Sequence, residues 1–285
     1  MLYIRWFTDI HNPPGEYMQD GLLVDQKAYK AQILNALDFV VADSQKAAPH
    51  WIIDGGDHID TTADAEIDRA LHHETQNRLR ALYERLIEIA GNHDVRHPVL
   101  DAHTQFNFQA GGKIIAHDDA TIIVWGASVE PQGLVGDGPG SHNRKYYEAS
   151  PIQVAWLKDA LAAAAPAKPV LLFTHIPLDT NAFSEPLDIN EQNNPFRSHY
   201  RNGQDIRDMI NASGRKVFVF SGHRHVNRNS VCCDIPMFTM DRLLRTEEKS
   251  DDRRKGMNYA DIRVGNGQLV YERFGAKPAR FELVL

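Results

Sequence analysis

Five short polar clusters hold the side chains of this sequence that are best suited to metal or water chemistry. They are DIH at 9–11, DGGDHID at 54–60, GNHD at 91–94, TH at 174–175 and GHRH at 222–225. Carboxylate, imidazole and carboxamide donors together suit Mn, Fe or Zn, whereas all-oxygen sets suit Mg or Ca and thiolates suit structural Zn. The clusters contain no cysteine and combine oxygen with nitrogen donors, so they predict a site for Mn, Fe or Zn.

Taken singly, these clusters are weak signals. An Asp-x-His triplet is common by chance, a Gly-Asp pair after a strand is often only a turn, and a loop asparagine often caps a helix. A lone histidine after a strand is commonly a hydrogen-bonded residue at the edge of the core. GHRH is more specific, because residues i and i+2 of an extended segment point to the same side. Five clusters in this order, each after a predicted strand, favour one shared metal site.

Short apolar runs alternate with longer amphipathic segments, a pattern typical of an α/β protein. Ligands of open α/β sheets bind at the carboxyl ends of strands, so clusters far apart in the chain can converge there. A GNG sequence at 265–267 predicts a hairpin turn between the last two strands. Predicted strands cover 2–8, 51–53, 86–90, 121–125, 170–174, 217–220, 232–240, 257–264 and 268–274, predicted helices 27–47, 63–83, 151–164 and 205–212, and long loops 130–150 and 178–204.

The order DxH, GD, GNHD, H, GHxH resembles that of the calcineurin-like metallophosphoesterase superfamily, over most of the chain. The resemblance implies two divalent metal ions per chain, Mn, Fe or Zn, bridged by Asp57. It also implies a four-layer α/β/β/α sandwich of two packed mixed β-sheets flanked by helices. The implied ligands are Asp9, His11, Asp57 and His225 for one ion, and Asp57, Asn92, His175 and His223 for the other.

The same resemblance implies that His93 faces the substrate instead of binding metal. Two divalent ions about 3.5 to 4 Å apart can clamp a phosphate and lower the pKa of a bridging water, so that a hydroxide attacks phosphorus. His93 would then donate a hydrogen bond or a proton to the leaving oxygen, and Asp94 would orient it. Substrate contacts are expected from Asn92, His93 and Arg96.

We expect the histidines outside the implied ligand set not to bind metal directly. The family often has an apolar residue after the bridging aspartate, where this chain has His58. We expect His58 to lie in solvent or behind the ligands and not to bind metal directly. The pairs His72 with His73, and Glu66 with Asp68, are expected on an exposed helix face.

Bulk composition limits the class of protein. The chain has 285 residues, 42% hydrophobic and 24% charged, which predicts a soluble globular protein, here a single domain over 1–285. A net charge of −7 with mixed signs does not indicate a nucleic-acid-binding surface. Two adjacent cysteines provide no disulfide framework, and we find no leader or membrane-spanning run, so we expect the cytoplasm. Oligomeric state is not indicated.

The resemblance implies a phosphoesterase, and the compact chain without a basic face favours a small-molecule phosphodiester, of the nucleotide or glycerophosphodiester type, as its substrate. A phosphomonoesterase, a nucleotide pyrophosphatase or a nuclease would use the same metal centre and stays an alternative. A metal-stabilised binding module without catalysis is a further alternative. That module would be expected to lack a ligand or His93, and the sequence retains them all.

Overall fold

Two six-stranded mixed β-sheets form the centre of the structure, a computed structural model. It describes residues 1–19, 22–62, 64–95, 112–126, 132–135, 144–179, 199–244, 256–275 and 277–285. The first sheet has the order β16-β15-β14-β1-β4-β5. Its strands are β1 (Leu2–Phe7), β4 (Trp51–Asp54), β5 (Leu86–Glu88), β14 (Tyr259–Gly265), β15 (Gln268–Phe274) and β16 (Ala279–Val284).

The second sheet has the order β12-β13-β11-β10-β7-β6. In it, β7, β10, β11 and β13 run parallel to one another, while the outer strands β6 and β12 are antiparallel to their neighbours. Its strands are β6 (Lys113–Ala116), β7 (Thr121–Val124), β10 (Val170–Thr174), β11 (Val217–Ser221), β12 (Arg228–Cys232) and β13 (Ile235–Thr239). Two separate hairpins pair β2 (Glu16–Gln19) with β3 (Leu22–Asp25), and β8 (Gln132–Val135) with β9 (Arg144–Tyr146).

The described residues contain four α-helices and one 3₁₀ turn, at Arg80–Leu82. Helix α3 begins with a capping box, in which the Ser150 hydroxyl accepts from the Gln153 amide and the Gln153 side chain accepts from the Ser150 amide. In the part of the chain that the structure describes, none of the helices could span a membrane. The helices are α1 (Lys27–Ala47), α2 (Ala65–Leu79), α3 (Pro151–Ala163) and α4 (Gly203–Ala212).

Alternation along the central strands builds the layers, because successive side chains of a strand point to opposite faces. Trp6 of β1 packs edge-on against Phe173 and Phe220 of the second sheet, with ring centroids 6.1 and 5.6 Å away. Arg5, the preceding residue, faces α1 and donates to Asp43 at 2.7 Å. The two sheets therefore pack face to face, with α1 on the outer face of the first.

The outer face of the second sheet is apolar as well. Leu172 of β10 and Val219 of β11 belong to a buried cluster that includes Leu157 of α3 and Ile206 of α4. Helices therefore cover this sheet, and the predicted four-layer α/β/β/α sandwich of two packed mixed β-sheets is confirmed.

The predicted elements are present with shifted ends, and several strands were not predicted. The helix predicted over 63–83 ends at Leu79 before the 3₁₀ turn, and β2, β3, β6, β8, β9, β12 and β16 are additional. The predicted hairpin joins β14 to β15, with positive φ at Asn266 (53°) and Gly267 (73°), as a tight turn of this hand requires.

Candidate metal centre

The five polar clusters follow strands β1, β4, β5, β10 and β11, as predicted. Strands β1, β4 and β5 are parallel in the first sheet, and β10 and β11 are parallel in the second. Their carboxyl ends lie at one edge of the sandwich, where the structure brings together all seven predicted ligands. They form two groups that share Asp57.

The first group consists of Asp9, His11, Asp57 and His225, whose candidate ligand atoms all lie within 4.8 Å of one another. His225 Nε2 lies 3.2 Å from Asp9 Oδ1 and 2.9 Å from His11 Nε2. His11 Nε2 lies 3.5 Å from Asp57 Oδ2. At this distance the two facing imidazole nitrogens cannot both carry a proton. Two ligands turned towards a common cation have this arrangement.

The second group consists of Asp57, His175 and His223, again within 4.8 Å, and Asn92 lies against it. His175 Nε2 is 3.3 Å from Asp57 Oδ2. The Asn92 carboxamide oxygen lies 3.2 Å from His175 Nε2 and 2.7 Å from His223 Nδ1. Oxygen and nitrogen donors of these types suit first-row divalent ions, so the residues present fit two such ions, with Asp57 between them.

The electrostatics of these side chains support this fit. Burial alone would raise the pKa of Asp9, but hydrogen bonds from His11 and His225 hold it well below its usual range. Burial alone would lower the pKa of His11, but hydrogen bonds to Asp60 and Asp9 raise it to about 10. The charge of Asp57 likewise raises the pKa of buried His175 to about 9. These carboxylates thus favour positive charge among them, which metal binding would supply while releasing the protons.

Two ligand rings are anchored through the nitrogen that does not face the centre. His11 Nδ1 lies 3.0 Å from Asp60 Oδ1, and His175 Nδ1 lies 2.8 Å from the Gly55 carbonyl oxygen. Such partners fix the orientation of metal-binding imidazoles. Asp60 is the last residue of the DGGDHID cluster, and the sequence analysis assigned it no role of its own.

The backbone at the ligands is unusual. Asp9, His11, Asp57, His223 and His225 all have positive φ, between 48° and 68°, which non-glycine residues rarely adopt. Residues held in such conformations cluster at functional sites. Five of the seven predicted ligands share this strain, which supports a common functional requirement.

Two glycines allow the loops to approach one another closely. A Cβ atom at Gly91 would overlap the carboxylate and amide of Asp57. A Cβ atom at Gly222 would overlap the Thr8 hydroxyl and the Asp9 carboxylate. Glycine at these positions is therefore required by the convergence of the loops on the ligands.

His93 lies beside the first group, with its ring centroid 4.8 Å from that of His11. The Thr61 amide donates to His93 Nδ1 at 3.2 Å, and the Thr61 hydroxyl donates to the His93 carbonyl oxygen at 2.9 Å. Because an amide N–H can only donate, Nδ1 accepts and the ring proton lies on Nε2. Burial lowers the pKa of His93.

Asp94 has a different position from the one expected. Its fully buried carboxylate accepts hydrogen bonds from the amides of Asp57, His58 and Gly91, at 2.8 to 2.9 Å. The ring of His93 is held by Thr61 instead. Asp94 therefore ties the loop after β4 to the loop after β5, and the predicted orienting contact with His93 is replaced by one from Thr61.

Other expectations have mixed outcomes. His58, His72 and Asp68 are buried, so the expectation of an exposed face is wrong for His72 and Asp68, and His58 does not lie in solvent. His73 and Glu66 are exposed as expected. Arg96 lies outside the described residues, as do 130–131, 136–143 and 180–198 of the two predicted loops, and the first loop contains strands β8 and β9. Tyr147, not predicted, packs edge-on against His223 with ring centroids 5.0 Å apart.

Comparisons with known proteins agree with this geometry. The family model described as calcineurin-like phosphoesterase matches residues 2–227. A dimetal phosphatase from Danio rerio is 12% identical, with a TM-score of 0.72, over 99% of this chain and 98% of that one. The purple acid phosphatase PPD1 of yellow lupin (Lupinus luteus) is 10% identical, with a TM-score of 0.65, over 99% of this chain and 53% of that one. No curated protein matches. At these identities the structural matches show a shared fold.

Proposed function

The chain belongs to the calcineurin-like phosphoesterase family, whose members hydrolyse phosphate esters at a dinuclear metal centre, and we propose that it cleaves a small-molecule phosphodiester. The observation that carries the proposal is the pair of ligand groups that share Asp57, with His93 beside them. A nucleotide or a glycerophosphodiester is the substrate class we favour.

We assign the ligands as the two groups define them. Asp9, His11, Asp57 and His225 would hold one ion, and Asp57, Asn92, His175 and His223 the other. Bound divalent ions would supply charge neutralisation of the phosphate and an acidified water. The mixture of carboxylate, imidazole and carboxamide donors favours Mn, Fe or Zn.

The protein's own contribution to the reaction centres on His93. Because Thr61 occupies Nδ1, the ring would present its Nε2 proton as a hydrogen-bond donor to a substrate oxygen. The Asp57 carboxylate is fixed in turn by the loops, since its Oδ1 accepts from the His93 amide at 2.8 Å. His93 therefore presents the donor through its ring and holds the shared ligand Asp57 through its backbone amide. Arg96 is a further proposed substrate contact.

The balance of charge favours a diester over a monoester. Two divalent ions carry one positive charge more than the adjoining carboxylates of Asp9, Asp57 and Asp60, and the attacking hydroxide would cancel that charge, so each further negative charge on the substrate would be left uncompensated. A phosphodiester carries a single negative charge near neutral pH, whereas a monoester approaches two. The centre therefore matches the charge of a diester more closely. The structural neighbours are named phosphatases, so a monoesterase is the alternative to separate.

We also propose that residues 1–285 form one domain, because β1 lies between β4 and β14 in the first sheet and so joins the two ends of the chain. The free thiols of Cys232 and Cys233 support assignment to a reducing compartment such as the cytoplasm.

Hydrolysis of bis(p-nitrophenyl) phosphate and p-nitrophenyl phosphate, measured side by side with Mn, Fe, Zn or Mg, tests the function. We expect kcat/KM to be about tenfold or more higher for the diester, a difference of about 1.4 kcal/mol in transition-state stabilisation. Asp57→Ala is the inactive control and should lose both ions. A higher value for the monoester would replace the diester proposal with the monoesterase. Inactivity on both esters with two ions bound would contradict the hydrolase.

A further inference from the structure

A second buried group of metal-type donors lies behind the dinuclear centre, on the far side of the loop that carries Asp57. It consists of His58, His72 and Asp94, which we call the rear cluster. We propose that the rear cluster binds a third divalent cation of the zinc type, which holds α2 against the two loops that carry Asp57 and Asn92.

The spacing within the rear cluster is that of ligands around an ion. The candidate ligand atoms all lie within 4.8 Å of one another. His58 Nδ1 is 3.4 Å from Asp94 Oδ2, and His72 Nε2 is 3.6 Å from Asp94 Oδ1. Charge-assisted hydrogen bonds are shorter, about 2.7–2.9 Å. Ligands about 2.0–2.2 Å from a tetrahedral ion lie about 3.3–3.6 Å from one another.

Two members of the cluster are held from behind, as metal ligands usually are. His58 Nε2 lies 2.8 Å from Asp54 Oδ2, which leaves Nδ1 turned towards Asp94. A carboxylate on the second nitrogen of a ligand imidazole fixes its orientation. Three backbone amides fix the Asp94 carboxylate. Two histidines and one carboxylate are a common protein set for zinc, completed by a water.

The rear cluster lies among buried carboxyl groups, where a bound cation would be favourable. Asp54 and Asp94 are fully buried, and Glu88, whose pKa burial raises to about 7, lies 3.9 Å from His58 Nε2. Within the described part of the chain, no lysine or arginine forms an ion pair with any of these three carboxylates. A divalent cation bound by His58, His72 and Asp94 would neutralise part of this buried negative charge.

The donors of the rear cluster come from different elements, so a bound ion would connect those elements. His72 lies on α2, His58 follows β4, and Asp94 follows β5. All three residues are at most 1% exposed, so the site has no surface for a substrate and its ion is structural. An ion there would join α2 to the loops that position Asp57 and Asn92.

Metal content separates this proposal from the alternatives. The full chain is stripped with a chelator, reloaded with Zn²⁺, freed of excess metal by gel filtration, and analysed for metal per chain by mass spectrometry. We expect three ions for the unaltered chain and for His73→Ala, an exposed neighbour on the same helix. We expect two for His72→Ala. Equal metal content in the two variants would overturn the third site.

A second measurement does not depend on a variant that folds. Anomalous difference density at the zinc edge, from crystals of the unaltered chain, should show a peak between His58, His72 and Asp94, separate from the peaks at Asp57. A map with only the two peaks at Asp57 would replace the third cation with a proton on His58. It would leave the proposed phosphoesterase intact, whereas loss of the peaks at Asp57 would contradict that function.

Discussion

At the scale of single residues, the site depends on backbone conformations that most side chains avoid. Asp9, Asp57 and His223 have positive φ, and each carries a donor atom of the proposed centre. Such conformations cost about 1–3 kcal/mol each and persist only where the surroundings determine them. Here the surrounding hydrogen bonds do so: the His223 amide, for example, donates to both oxygens of Asp9 at 3.0 and 3.1 Å.

The first prediction concerns His93 itself. We expect His93→Ala to keep both ions of the dinuclear centre, because its ring is not a ligand in either group, and to lower kcat roughly a hundredfold or more through loss of a donor to the substrate. Metal analysis and steady-state kinetics on bis(p-nitrophenyl) phosphate measure the two effects. His73→Ala is the matched control and should behave as the unaltered chain. Near-normal turnover of His93→Ala would refute the role.

The second prediction concerns Thr61, which positions His93. Thr61→Val keeps the amide that donates to Nδ1 but removes the hydroxyl that donates to the His93 carbonyl oxygen. A hydrogen bond contributes about 0.5–1.5 kcal/mol, so kcat should fall up to about tenfold with KM and metal content unchanged. Thr61→Ser restores the hydroxyl and should restore kcat. If the serine variant is as slow as the valine variant, the hydroxyl is not the cause.

At the scale of elements, the site is made by the turns that end five parallel strands. Neighbouring strands stop in register, since Phe7 pairs with Asp54 and Thr174 with Ser221, so the following residues emerge side by side. The turns then contact one another directly. Asp94 joins the turn after β4 to that after β5, and Gly222 lets the turn after β11 reach the turn after β1.

The third prediction tests this contact through Gly222→Ala. The added methyl group would overlap the Thr8 hydroxyl and the Asp9 carboxylate, so the turn after β11 must move away from the first ligand group. We expect weaker metal binding, seen as a rise of tenfold or more in the Mn²⁺ concentration needed for half-maximal activity, a cost of about 1.4 kcal/mol. Gly214→Ala is the control: its surroundings are open, and the strain from its positive φ (65°) falls before the amino end of β11, away from the ligand groups. Equal metal affinity in the two variants would contradict the steric argument.

At the scale of the whole molecule, β1 links the sheet core to the helical layer and the start of the chain to its end. It pairs with β4 on one side and with β14 on the other. Its Arg5 is 3% exposed and lies between Asp261 of β14 and Asp43 of α1, at 2.9 and 2.7 Å. This buried charge is stable only while its partners remain.

The fourth prediction follows from that burial. Asp261→Ala leaves the Arg5 charge without its main partner, and we expect a loss of about 3–5 kcal/mol in the free energy of unfolding. Glu272→Ala, which breaks a more exposed pair with Arg263, should cost no more than about 1 kcal/mol. Urea denaturation monitored by circular dichroism measures both. Similar losses in the two variants would show that the buried pair contributes no more to the free energy of unfolding than the exposed pair.

The sequence alone determined the kind of each donor and its place at the end of a strand. Donor type, strand ends and glycine turns are local properties, so Asp9, Asn92 and His175 could be placed at one edge of a sandwich from apolar runs and the clusters that follow them. The packing of two sheets against each other was expected only from the resemblance of the motif order to the calcineurin-like family. Strands with weak patterns, such as β2 and β16, were missed.

Only the tertiary structure decided which atoms meet. Helix α2 buries Asp68, Leu71, His72, Thr75 and Leu79, a helical stripe that is largely polar because it faces the polar loops of the site. Judged by polarity alone, that stripe belongs in solvent. In the same way, Asp94 bonds to the backbone of the Asp57 loop, and Thr61 holds His93. The choice of partner depends on elements that are distant in sequence, whereas the kind of donor is written in the residue itself.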